Sequence, residues 1–151
     1  MDAKFFAYIN VIDPLVKRMA GRGHGVIVNG IGVGGKTPSP AHIAGGSANA
    51  ALMLATAGLG AAYAAKGVRV VGVNPGLTDT SRVAEGMEAL AQLEGISPAE
   101  AHRRSIEQIP MGRMASPEEI ASAVVFLASA KASYITGVTL TMDGAQHPGI
   151  L

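Results

Sequence analysis

The chain has 151 residues, a formal net charge of +1 and only 15% charged residues. Apolar residues reach 48% but aromatics only 4%; Gly numbers 20, and Cys and Trp are absent. This suits one domain with a close-packed aliphatic core, and it excludes a disulfide scaffold, a cysteine-based zinc module, a cysteine nucleophile, a disordered chain and a strongly basic nucleic-acid face.

Residues 1–20 read as helical, with Asp13-Pro14 expected to break or restart the helix. No basic region followed by an apolar core and a small-residue cleavage site occurs there, so the expected location is cytoplasmic. Residues 25–29 (GVIVN) form a short β-branched run that predicts a buried strand. Residues 44–65 predict a long helix. The uncharged run 43–65 is long enough to span a bilayer, for which about 20 apolar residues suffice. Its Ala/Gly richness, together with Ser47, Asn49 and Thr56, predicts instead a soluble helix packing through small residues, with no membrane partner. Residues 69–74 (RVVGVN) predict a second strand, stopped by Pro75-Gly76. Two weaker helices follow across 81–108, then a helix over 117–129. A third strand is predicted at 138–142 (VTLTM), stopped by Asp143-Gly144. Ser97-Pro98-Ala99-Glu100 and Ser116-Pro117-Glu118-Glu119 each place Ser at an N-cap, Pro at the first helical position and Glu at the third. Strands alternating with helices imply a parallel α/β sheet whose functional groups lie in loops beyond the strands' carboxyl ends.

The loop after the first strand, Gly30 to Thr37 (GIGVGGKT), satisfies the phosphate-loop pattern G-x-x-x-x-G-K-T, in which Lys36 would reach terminal phosphates. Gly30, Gly32 and Gly35 also satisfy G-x-G-x-x-G. Both patterns need a helix immediately after the loop, because the helix N-terminus supplies part of the anion site. Pro38 and Pro40 argue against such a helix, and no Asp or Glu lies between Asp13 and Asp79 to meet a ribose. A nucleotide-binding phosphate loop through Lys36 and Thr37 is therefore the disfavoured reading.

Three later segments, GVRVVGVNPGLTDT (67–80), IPMGRMASPEEIASAVVFLAS (109–129) and YITGVTLTMDGA (134–145), resemble in order and spacing the C-terminal half of the short-chain dehydrogenase/reductases. The resemblance implies a Rossmann-like parallel sheet with flanking helices, the C-terminal half of the doubly wound fold, as one partial domain over 1–151. It implies NAD or NADP as cofactor and a small carbonyl or alcohol substrate. The family's N-P-G-x-x-x-T turn, which wraps the nicotinamide end, falls on Asn74, Pro75, Gly76, Thr78 and Thr80.

The first part of the chain departs from the family pattern. The resemblance places the family's Ser at Gly32 and its Lys at Asn49. Its Tyr falls at Gly45 or, with a short insertion, at His42, and its Asn at Lys4 or Asn10. His42 stands as the candidate acid/base, since imidazole can exchange protons near neutral pH; a solvated loop histidine is the plainer reading. Asn49 suits a ribose contact or a buried helix amide equally. The small-residue helix 44–65 implies, by the same resemblance, a homo-oligomer contact. The expected function is thus a short-chain NAD(P)-linked oxidoreductase that is inactive as an isolated chain. The alternative is a catalytically inert relative acting by binding or assembly.

Overall fold

A computed structural model describes residues 1–38 and 42–149. Helix α1 (Ala7–Gly21) follows a single π-helical turn and leads into β1 (Gly25–Gly30), α2 (Ile43–Tyr63) and β2 (Val68–Pro75). Then come α3 (Ser81–Glu94), α4 (Pro98–Glu107), α5 (Pro117–Ala128) and β3 (Thr139–Met142). The strands form a parallel sheet in the order β1-β2-β3. Gly25 pairs with Val68 at one end and Gly30 with Val73 at the other; Pro75 pairs with Met142. The predicted strands and helices all form, within a residue or two at their ends.

β2 is central and buried on both sides, which explains its run of valines. Strand alternation sends Val68 and Val70 to one face, where they meet Ile12 and Val16 of α1. Val71 and Val73 go to the other face and meet Leu127 of α5. Arg69 fastens the end of α5 and the segment after it to the sheet: its guanidinium donates to the carbonyls of Leu127 (2.8 Å), Ser129 (3.0 Å) and Ile135 (3.2 Å). A cation at a helix C-terminus also complements the helix dipole.

The expected break at Pro14 does not occur: α1 runs through it. Pro14 removes the N–H that would bond the Asn10 carbonyl, but both residues are exposed and water can serve that carbonyl. Burial of Ile12 and Val16, on either side, holds the two halves on one axis. Both predicted Ser caps form. Ser97 Oγ accepts from Glu100 N, and Ser116 and Glu119 make a complete capping box.

α2, with the turn that follows it, is long and apolar enough by length and composition to cross a membrane. One face of it (Ala48, Asn49, Leu52, Thr56, Gly60) is buried, while Ile43 and Leu54 stay 68% and 78% exposed. Asn29 on β1 donates to Thr56 at 2.9 Å, tying α2 to the sheet through a buried polar pair. Gly60 is needed here, because a Cβ would come within 2.4 Å of Gly137.

Candidate active site

β1 and β2 end side by side at the carboxyl edge of the sheet, and the loops that leave them diverge. A cleft of about 860 Å³ opens between those loops and the start of α1. Gly32, His42, Gly45, Asn49, Pro75 and Gly76 all line it, as does Lys4. Residues far apart in sequence are thus brought together around one cleft. Thr78 and Thr80 are not in the lining. Thr78 Oγ1 donates to Gly76 O (3.3 Å), steadying the turn, and Thr80 caps α3 by accepting from Val83 N. Asn10 does not line the cleft either, whereas Lys4, in the π-helical turn before α1, does.

The lining is built from local constraints. Gly32 has φ +124, a conformation that L side chains rarely adopt, so the absence of a serine there is written into the backbone. Asn74 lies fully buried below the loop, and its Oδ1 accepts a long bond (3.4 Å) from Gly32 N. The glycine at 76 has a packing reason: a Cβ would meet Asp143 at 2.8 Å. Gly45 has another. A Cβ there would fall 2.2 Å from the His42 ring, so the imidazole fills the space in which a residue-45 side chain would begin. The two candidate positions for the family's Tyr therefore share one volume.

Asn49 is 3% exposed, and its Oδ1 has no hydrogen-bond partner. A buried acceptor left unpaired costs about 1–3 kcal/mol. Such an atom fits a ligand hydroxyl that can donate to it, as a ribose does. Burial, and then the charge of Arg82, lower the pKa of Lys4 below the usual lysine value. Its Nζ donates to Ile31 O at 2.7 Å, while the Tyr8 hydroxyl donates to Gly30 O at 2.6 Å. Tyr8 and Arg82 are lining residues that the sequence reading missed. Tyr8 could have been found, since it stands four residues from Lys4 on the same helical face. Arg82 comes from the start of α3, and nothing in its own sequence context marks it.

The Lys36 loop does not form a phosphate loop. A short turn, Val33–Gly35, follows β1, no helix starts at Lys36, Thr37 or Pro38, and the next α-helix of the described residues is α2 from Ile43. Lys36 Nζ donates to Thr141 Oγ1 at 3.1 Å. Pro40, which argues in the sequence against such a helix, lies outside the described residues.

A family model described as enoyl-(acyl carrier protein) reductase matches residues 1–147. A 4-formylbenzenesulfonate dehydrogenase of Comamonas testosteroni is 39% identical over 85% of this chain and 48% of its own length. Among solved structures, an NADPH-dependent reductase involved in bacilysin biosynthesis superposes with a TM-score of 0.89 at 32% identity, over 97% of this chain and 56% of its own. An NAD+-bound xylitol dehydrogenase superposes with a TM-score of 0.83 at 25% identity, over 89% of this chain and 54% of its own. The chain spans about half the length of each of these relatives.

Proposed function

This chain belongs to the short-chain dehydrogenase/reductase family, and on that premise we propose that it is an NAD(P)-linked oxidoreductase by descent, one partial Rossmann-type domain that binds the nicotinamide end of NAD or NADP but does not turn over a carbonyl or alcohol unaided. The observation that carries this is the cleft itself, in which Gly32, Asn49, Pro75 and Gly76 converge at the sheet's carboxyl edge. The bound cofactor would supply hydride exchange. The chain's own part is to hold it: the Pro75-Gly76 turn borders the nicotinamide side, and the unpartnered Asn49 Oδ1 takes a ribose hydroxyl. Relatives named as an NADPH-dependent reductase and an NAD+-bound dehydrogenase support the cofactor class. One named as a 4-formylbenzenesulfonate dehydrogenase supports an aldehyde or alcohol substrate class.

The proton donors support inactivity. Among the lining residues the one side-chain hydroxyl is that of Tyr8, already donated to Gly30 O. His42 is the remaining candidate acid/base, seated over Gly45. The inert binding or assembly reading is favoured by the same loss at positions 32 and 45. In it, the exposed face of α2, with Ile43 and Leu54, serves as a homo-oligomer contact. We place the protein in the cytoplasm, without membrane or nucleic-acid partners.

Titrating the chain with NADH and NADPH, with ATP as control, tests this. Binding of a dinucleotide with no turnover on a panel of aldehydes and ketones is expected. Turnover by the wild-type chain overturns the inactivity, and absence of dinucleotide binding overturns the cofactor assignment. Tight ATP binding lost in Lys36→Ala would restore the phosphate-loop reading. A monomer by light scattering at micromolar concentration removes the oligomer contact.

A further inference from the structure

We propose that the cleft binds an oxyanion, a carboxylate or phosphate group, held between Lys4 on one wall and Arg82 on the other. This deepens the reading above by naming the charge class of what enters the cleft.

Four cations away from the cleft are paired with carboxylates. Along α1, Lys17 is paired with Asp13 at 2.8 Å. On α4, Glu100 holds both Arg103 and Arg104, each at 2.7 Å, and at the next turn Arg113 holds Glu119 at 2.7 Å. Lys4 and Arg82 have no carboxylate partner among the described residues, and what sets them apart from the other cations without one is their place. Both line the cleft, and no carboxylate lines it with them. Arg82 makes no ion pair or hydrogen bond among the described residues, although Asp79 stands three positions before it. Lys4 is half-buried, and its single partner among the described residues is the neutral Ile31 carbonyl.

An ammonium has three donors, so Ile31 leaves two for a ligand. A guanidinium adds a planar fork matched to two oxygens of a carboxylate or phosphate. Two like charges facing one partly desolvated space raise each other's energy, and the depressed pKa of Lys4, to which Arg82 contributes, is a sign of that tension. An anion between them would relieve it. Half-burial of Lys4 costs desolvation that full exposure would avoid, and its bond to Ile31 O holds the ammonium beside another residue of the cleft lining. His42 lines the same space and adds no negative charge.

The anion has two possible sources, an acidic group on a small substrate or a phosphate of the dinucleotide. The test uses the chain as it is, with benzoate, its uncharged isostere benzamide, and inorganic phosphate, each titrated by calorimetry in the absence of dinucleotide. Benzoate or phosphate should bind, benzamide should not, and binding should weaken as NaCl rises. Lys4→Met and Arg82→Gln should each weaken the anion at least tenfold, while Lys131→Gln, a charge removed elsewhere, should change nothing. Circular dichroism of the variants separates loss of the site from loss of the fold. Displacement of the anion by NAD+ assigns the site to cofactor phosphate, and retention of benzoate in the presence of NAD+ assigns it to a substrate acid. Equal binding of benzamide and benzoate, no binding of either anion, or indifference to both cleft variants overturns the proposal. Because the anions are titrated alone, failure of NADH and NADPH to bind would leave this result standing, and the reverse.

Discussion

The lining of the cleft and the scaffold of the fold handle their polar groups in opposite ways. In the second, Ser97, Ser116 and Glu119 close helix starts, Arg113 is clamped by Glu119, and the half-buried Asp143 accepts from Ala145 N, His147 N and His147 Nδ1. In the first, Asn49 keeps an unpaired buried oxygen, Lys4 has only a carbonyl, and Gly32 sits at φ +124. Finished hydrogen bonding marks scaffold. Unfinished bonding concentrated around one cleft marks where something else is meant to complete it.

Three measurements can break or sharpen that contrast. The largest effects are expected from a matched pair of substitutions. Asn74→Leu leaves Gly32 N without its acceptor and should destabilise by about 1–3 kcal/mol in urea unfolding. Asn49→Leu removes an acceptor that has no partner, and should be neutral or stabilising by a similar amount. Equal losses from both would mean that Asn49 is as finished as Asn74, and the contrast would fall. Next, Ser116→Ala should cost about 1 kcal/mol by opening the capping box; an unchanged midpoint would show that the α5 start is held by packing alone. The smallest effect concerns acid. Arg113 above all, with the Ser116 backbone N–H, holds the Glu119 carboxyl at about 2, below its usual 4.5. Arg103 and Arg104 do the same for Glu100, also to about 2. A folded pKa below the unfolded one gives stability that is present above about 4.5 and lost as pH falls towards 2. Because these groups are exposed, the slope should be shallow and should flatten further in salt. In Glu119→Gln it should shrink in that window.

Much of this was legible in advance, for reasons that differ by element. The β-branched runs at 25–29 and 69–74 announce strands because both faces of a parallel sheet are covered. The two Ser-Pro-x-Glu starts announce caps because every contact involved lies within four residues. Pro14 misleads, since its local cost is outweighed by Ile12 and Val16 packing on β2, which no local window contains. The cleft divides in the same way. Gly32, Asn49, Pro75 and Gly76 carry a motif or fall at a fixed spacing from one. Tyr8 and Arg82 join them only because α1 and α3 converge on the end of β1.

His42 and Gly45 have a consequence for how this cleft can change. Since the imidazole lies 2.2 Å from where a residue-45 Cβ would be, the two positions are not independent sites of substitution. A large side chain arriving at 45 meets the ring unless residue 42 has already shrunk or swung away, whereas shrinking residue 42 first meets no obstacle. The route by which a hydroxyl side chain could be introduced at 45 is therefore ordered, and a redesign that reverses the steps passes through a clashing intermediate.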